Sequence, residues 1–399
     1  MNRLPALMIG ALMPALAACQ QAASPAPAPI VHPVAAAGSL TAQAPLAAAD
    51  SVPGAGKALT IGYLSTDGVT GSGLVPVTGE VIYPAGPAPA GGWPIVAWAH
   101  GTVGIADICA PSRNPHSARD KAYLAEWLHR GFAIVATDYQ GLGSDGTHPY
   151  LNARAEAYSV LDGIRAALSG LPDLRNRIMI VGQSQGAGAA FAATAYAPEY
   201  APALDIRGTV ATGIPYMTPQ IAKALTDGAR GAGKKAPKDD PVVAYALLMG
   251  AAKAGLDPSF DASAAFTPRA MKAFHAASSV CFPDLFDRVK ADRLTQANAF
   301  APGVGTALAP SFRAMAFPTL KLKTPLFVGT GAKDRDVAPD GQLLLVKDAC
   351  RAGTIVQAHL YKGLDHSETV MASVPDSAAF TRAVMAGEPV QPSCAPVGE

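Results

Sequence analysis

The sequence predicts an α/β architecture: a mostly parallel central sheet with helices on both faces and a helical cap inserted between two strands. Three observations predict it. Short apolar runs of β type alternate with amphipathic helical stretches over residues 58–215 and again over 321–399, the rhythm of strand–helix–strand units. Several of these runs ("WPIVAWA", "FAIVA", "IMIV") are continuously apolar, as strands buried on both faces are. Between residues 216 and 320 the rhythm stops, leaving helical patterns and no clear strand.

The elements follow in order. "ALTIGYLST" and "LVPVTGEVIYP" read as an early strand pair; the second alternates well, which suits antiparallel pairing. "WPIVAWAHG" is the first buried strand, and "ARDKAYLAEWLHRG" is a helix stopped at Gly131. "FAIVATD" is a strand, and "ARAEAYSVLDGIRAALSGLP" a helix ended by Gly170 and Pro172. "RIMIVG" runs into a glycine-rich turn and the helix "AAFAATAYAP", which Pro198 should stop. "DIRGTVATGIP" is the next strand. After the cap, "TPLFVGTGAKD", "GQLLLVKDACRAG", "TIVQAHLYKG" and "DSAAFTRAVMAG" read as strand, helix, strand, helix. No internal repeat is visible.

Ahead of this core lies an export signal. Met1–Arg3 forms a short positive region, and an apolar run from Leu4 to Leu16 is too short to span a bilayer. It ends in Leu16-Ala17-Ala18-Cys19, which resembles a bacterial lipobox, so residues 1–19 are expected to be a lipoprotein-type signal with lipid on Cys19. Gln20 follows, not Asp, which points onward to the outer membrane rather than retention; a periplasmic or secreted form is the alternative. Lipid chains would then anchor the protein without a transmembrane helix. Residues 20–57, rich in Ala and Pro, read as a semi-rigid tether.

The chain of 399 residues carries a net charge of +1 with only 15% charged residues. It has no basic stripe for nucleic acid and no acidic tail. Four cysteines remain after Cys19: Cys109, Cys281, Cys350 and Cys394. In an oxidising compartment an even number suggests two disulfides. Of the three possible pairings, Cys109–Cys281 and Cys350–Cys394 is favoured, the latter tying down the C-terminal tail. No C-x-x-C or close His/Cys pair exists, so no metal site is expected.

The chemistry centres on Gly182-Gln183-Ser184-Gln185-Gly186, a G-x-S-x-G turn between strand and helix. Such a turn is too sharp for side chains at Gly182 and Gly186, and it exposes Ser184. A serine hydroxyl is a weak nucleophile and needs a base oriented by an acid. These should follow in the order acid then histidine, each in a loop after a strand. Asp334 follows "PLFVGTG" and precedes Val337 and Pro339 in the usual pattern; Asp336 is the fallback. His366 follows "VQAHLYKG". His359 lies mid-strand, His275 falls in a cap helix, and His100 precedes Ser184 in the chain. His100-Gly101-Thr102 suits an oxyanion loop instead. The two backbone donors would be Gln185, after the nucleophile, and Thr102, with Gly101 as fallback.

Beyond the turn, "AHGTVGIADICAPS" (99–112), "TDYQGLGSDGTHPYL" (137–151) and the late "GAKDRDV…GLDH" pair resemble the secretory lipase (lipase A-type) family of the α/β-hydrolases over residues 58–390. The resemblance implies carboxylic-ester hydrolysis through an acyl-enzyme, without a cofactor, beneath a helical cap at 216–320. It implies Ser184 as nucleophile, Asp334 as acid, His366 as base and the 101–102 loop in the oxyanion hole. His100 would line the pocket, and Tyr139 with Gly141–Gly143 would line or shape its floor. The lipobox and tether suit a surface-anchored enzyme better than a freely secreted one, and the Lys-rich loop at 228–238 leaves the cap's detail open. The same triad would serve an acyltransferase, a polyester depolymerase or a peptidase. A non-catalytic surface lipoprotein would require a missing triad member.

Overall fold

The computed structural model describes residues 1–2, 35–47, 50–223 and 240–398. Cys19 and the Lys-rich loop at 228–238 lie outside the described residues. Ala35–Glu399 forms one unit, to which everything below refers.

Ten strands make one sheet: β1 (Leu40–Pro45), β2 (Ala55–Thr66), β3 (Leu74–Pro84), β4 (Trp93–Ala99), β5 (Ala133–Thr137), β6 (Leu174–Gln183), β7 (Ile206–Thr212), β8 (Leu326–Gly331), β9 (Val356–Tyr361) and β10 (Ser393–Gly398). Their order is β1-β2-β3-β5-β4-β6-β7-β8-β9-β10. The pairs β1–β2, β2–β3 and β3–β5 are antiparallel; from β5 to β10 every pair is parallel.

Alternation along the central strands sets the two faces. On β4, Ile95, Ala97 and Ala99 pack under helices α2 (Ala153–Gly170) and α3 (Gln185–Tyr200). Val96 and Trp98 point the other way, toward Tyr123, Leu124 and Trp127 of α1 (Ala118–His129). Because both faces are covered, the strands are apolar throughout, which is why they were legible as continuous runs.

Between β7 and β8 the described residues form helices joined by loops. The longest such helix is α4 (Pro241–Leu256); shorter ones include Met271–Ala276, Phe282–Ala291 and Val304–Ala314. They share their own core, where Leu247 and Leu248 meet Phe266, Phe274, Leu285 and Leu308. Ile105 and Tyr150 join this cluster from core loops and join the helices to the sheet's edge.

Three expectations are corrected. The tether does not reach residue 57: Leu40–Pro45 pairs with β2 and Val52 is buried. Beyond its first residue, β1 is an exposed edge strand held by backbone bonds, so its sequence needs no apolar alternation and gave no signal. Pro198 does not stop α3 but sits in its last turn, where a proline removes only one helical bond. The tail adds a strand, β10, parallel to β9.

Both disulfides form in the favoured pairing, Cys109–Cys281 and Cys350–Cys394. The first joins the loop after β4 to the start of the helix Phe282–Ala291, spanning 172 residues of sequence. The second ties the helix Pro339–Ala352 to β10. Replacing Cys109 and Cys281 together by alanine should cost about 2–5 kcal/mol, as expected for a bridge that closes a long loop. Urea unfolding of the oxidised proteins measures this; equal midpoints would mean the bridge does not hold the helices to the core.

Candidate active site

The carboxyl ends of β4, β6, β8 and β9 lie along one edge of the sheet, and each is followed by one residue of the site: His100, Ser184, Asp334 and His366. Loops at this edge are where an open α/β sheet places its ligands.

The turn after β6 is the tightest feature. Ser184 has φ 58° and ψ −122°, a conformation that L-residues adopt only when the surroundings force it. The surroundings do so by close packing. A Cβ on Gly182 would collide with the Gly186 carbonyl, and a Cβ on Gly186 with the Ala99 carbonyl. The serine is thus lifted out at the N-terminus of α3, where the helix dipole favours negative charge.

Asp334 and His366 form a pair. His366 Nδ1 lies 2.7 Å from Asp334 Oδ2. The carboxylate is fixed from all sides: Oδ1 accepts the N–H groups of Asp336 and Val337 at 2.9 and 2.8 Å, and Oδ2 accepts Gln342 Nε2 at 2.9 Å. Asp336, the fallback acid, faces elsewhere and accepts the Tyr245 hydroxyl of α4 at 2.6 Å. Gly213, at φ 64°, leaves the space that the imidazole fills. Ligand atoms of Asp334, Asp336 and His366 lie within 4.8 Å of one another, but the hydrogen bonds above already account for this cluster. His359 sits mid-strand beside Asp376, and His275 lies on a cap helix, as read from the sequence.

Gln183 was not singled out by sequence reasoning, yet it touches the base. Its Nε2 lies 2.9 Å from His366 Nε2, and its Oε1 accepts Arg119 Nη2 at 3.2 Å. The arginine fixes which end of the amide faces the imidazole. An amide N–H can only donate, so Nε2 of His366 accepts and Nδ1 carries the proton toward Asp334. That is the tautomer a general base requires. The amide occupies the His366 nitrogen that faces away from Asp334.

Gln185 and Thr102 both flank Ser184, and a buried polar network supports each. Gln185 Nε2 donates to Glu156 Oε1 at 2.8 Å and to His148 Nε2 at 3.1 Å. Glu156 Oε1 also accepts the Leu151 N–H at 2.9 Å. Thr102 Oγ1 shares a 2.8 Å hydrogen bond with the Tyr150 hydroxyl. The stretch His148–Leu151 therefore braces both expected oxyanion donors; "HPYL" stood out in the sequence, but its role did not. Gly101 packs against the Gln183 amide. His100 lines the cavity, whereas Tyr139 is fully buried beneath it, its ring tilted against His100 with centroids 4.4 Å apart. Its hydroxyl donates to the His100 carbonyl at 3.0 Å. At φ 71° Tyr139 shapes the floor from below and does not line it.

Two cavities meet at Ser184. One, about 230 Å³, runs under the helical insertion and is walled by Met217, Met249, Phe300, Leu308, Phe312 and Met315. The other, about 350 Å³, mixes polar and apolar walls and lies beside the N-terminus of α1.

Candida antarctica lipase A superposes with a TM-score of 0.69 at 18% identity, covering 91% of this chain and 86% of that one. The rice cell wall degrading esterase LipA of Xanthomonas oryzae gives 0.67 at 18% identity, with 87% and 98% covered. The fold is that of the α/β-hydrolases. A family model for secretory lipases matches residues 115–236, less than a third of the chain. Lipase 7 of Candida albicans is 33% identical over 108 residues, which is 26% of this chain and 24% of that protein. The match thus spans about a quarter of that relative's length.

Burial pushes the Glu156 carboxyl up to about 8 and His148 down to about 4. Near neutral pH the acid is therefore held largely neutral. Below the ordinary glutamate value both folded and unfolded chains keep the proton on Glu156. As pH rises toward 8 the unfolded chain loses it first, so stability falls through that window. A Glu156→Gln variant lacks this slope. Urea midpoints should shift in the variant's favour between pH 5 and pH 8; the His148 contribution has the opposite sign and cancels in the difference. Parallel pH curves for the two proteins would show that Glu156 is ionised in the fold.

Proposed function

We propose that this protein is a secretory-lipase-type serine hydrolase of carboxylic esters, a lipase or carboxylesterase, working through a Ser184–His366–Asp334 triad and an acyl-enzyme. The observation that carries the reading is His366, paired with Asp334, opening onto the same cavity as a serine held on a strained turn. The similarity to lipases and an esterase supports the same reaction class.

Ser184 Oγ attacks the ester carbonyl while His366 Nε2 takes its proton. Asp334 holds the imidazole in the right tautomer and stabilises its cationic form. The N–H groups of Gln185 and Thr102 receive the oxyanion. His366 returns the proton to the departing alcohol, then takes one from water as the water attacks the acyl carbon, and hands it to Ser184 Oγ as the acyl–Oγ bond breaks and the acid leaves. No cofactor enters these steps. The acyl chain occupies the apolar cavity beneath the residue 216–320 cap.

Two disulfides suit an oxidising compartment. Together with the stretch ending at Cys19 they support an exported protein held at the outer membrane by lipid on that cysteine. Among the described residues no helix is long and apolar enough to cross a membrane.

A p-nitrophenyl ester series from acetate to palmitate tests the reading on protein lacking residues 1–19. Each methylene that enters the apolar cavity should raise kcat/KM by up to about fourfold, the equivalent of ~0.8 kcal/mol, until the cavity is full. Ser184→Ala should lose roughly 10³-fold or more. A Ser184→Ala protein with wild-type activity would sink the mechanism. Asp334→Asn should fall by about 10³–10⁴ in kcat, whereas Asp336→Asn should keep most of its activity. The reverse ranking would move the acid to Asp336.

A further inference from the structure

Tyr245 stands where the helical insertion meets the loop that carries the acid. It lies in the second turn of α4, and its hydroxyl donates to Asp336 Oδ1 at 2.6 Å. The backbone N–H of the same Asp336 donates to Asp334 Oδ1 at 2.9 Å, and Asp334 Oδ2 faces His366 Nδ1 at 2.7 Å. A relay of hydrogen bonds thus runs from the insertion to the imidazole. The tyrosine also occupies a carboxylate that has a ligand atom within 4.8 Å of His366. It keeps that carboxylate from competing with Asp334 for the imidazole proton.

The ring is held for this contact. It stacks on Phe282 with centroids 4.9 Å apart and planes 6° apart. Phe282 follows the bridged Cys281 and donates its N–H to the Val103 carbonyl at 2.7 Å, next to Thr102. The tyrosine is therefore steadied from the side of the expected oxyanion loop while its hydroxyl reaches the acid loop. Burial, and then the charge of Asp336, push that hydroxyl well above its ordinary pKa, so it stays a donor. A hydroxyl donating to a carboxylate is among the stronger hydrogen bonds in proteins. Tyr245 and Asp336 each line both cavities, so the bond lies where the two meet. Packing alone would need only the ring.

We propose that Tyr245 is a positioning residue: it ties α4 to the acid loop, so that Asp334 is fully oriented toward His366 only while the helical insertion lies closed over the site. The inference rests on the ester-hydrolase reading above and adds a coupling to it. With α4 against residues 332–338, Asp336 is pinned, and its N–H joins that of Val337 on Asp334 Oδ1. With α4 displaced, the pin is lost. The carboxylate then keeps Val337 and Gln342 but gives up part of its fixed direction. Tyr245 touches no reacting atom in this role; it acts through Asp336 and Asp334.

Tyr245→Phe keeps the stacked ring and removes only the hydroxyl. On p-nitrophenyl butyrate its kcat should fall by roughly 10- to 100-fold, with KM within about twofold of wild type. Asp336→Ala should fall by the same factor, and the double variant no further, because each single change cuts the same bond. Asp336→Asn keeps an acceptor oxygen for Tyr245 and should recover most of what Asp336→Ala loses. An unchanged kcat in Tyr245→Phe, a loss confined to KM, or a double variant whose losses multiply would overturn the inference. Proton NMR supplies a readout that needs no substrate. The downfield signal of the His366 Nδ1–H should broaden and exchange faster in folded Tyr245→Phe than in wild type; an identical signal would also overturn the inference. If wild type cleaves no ester, or Ser184→Ala cleaves it as well, the hydrolase reading itself has failed, and the NMR comparison still decides the positioning role.

Discussion

The close approach of three backbones at Ser184 is the constraint on which the site depends. β4 ends at Ala99, β6 ends one residue before the serine, and α3 begins one residue after it. Only glycine at 182 and 186 lets these segments touch. That packing holds Ser184 at positive φ, a strain of order 1–3 kcal/mol that the buried sheet and α3 sustain. The large apolar core beneath, with Ile95, Ile178, Ile180 and Ala189 fully buried, is what makes such a local cost tolerable. Once the serine is placed, the other groups follow from parallel topology, because neighbouring strands deliver their next loops to the same edge.

Around that point buried polar side chains hold one another in place. Asp334 spends its oxygens on two backbone amides, Gln342 and His366. Glu156, His148 and Gln185 satisfy one another beneath the expected oxyanion hole. Such networks rigidify what they bond, since a lost partner would strand a buried polar group. Tyr150 belongs both to this support and to the core of the helical insertion. Packing of those helices and the position of Thr102 are therefore mechanically linked, and Asp336 with Tyr245 makes a second tie.

The central sheet was legible because burial on both faces leaves a continuous apolar run, as at 93–99 and 178–181. The edge strands were not: β1 is almost wholly exposed, and β10 is held by the Cys350–Cys394 bridge and by β9 rather than by an apolar pattern. Ser184, Asp334 and His366 could be read from order and spacing, since each must follow a strand. Gln183 and Arg119 could not. Their roles come from side chains 64 positions apart meeting at one hydrogen bond, and no local pattern encodes that. Tyr139, expected to line or shape the floor, shapes it from below: its left-handed backbone turns the ring under His100.

The account turns on whether Ser184 is a nucleophile in the folded protein. Stoichiometric labelling with a fluorophosphonate, followed by peptide mass spectrometry, addresses this without assuming any natural substrate. The account predicts one equivalent of label, confined to the peptide bearing Ser184, with ester hydrolysis lost in proportion to labelling. Folded protein that takes up no label, or that is labelled elsewhere while keeping its activity, would contradict it.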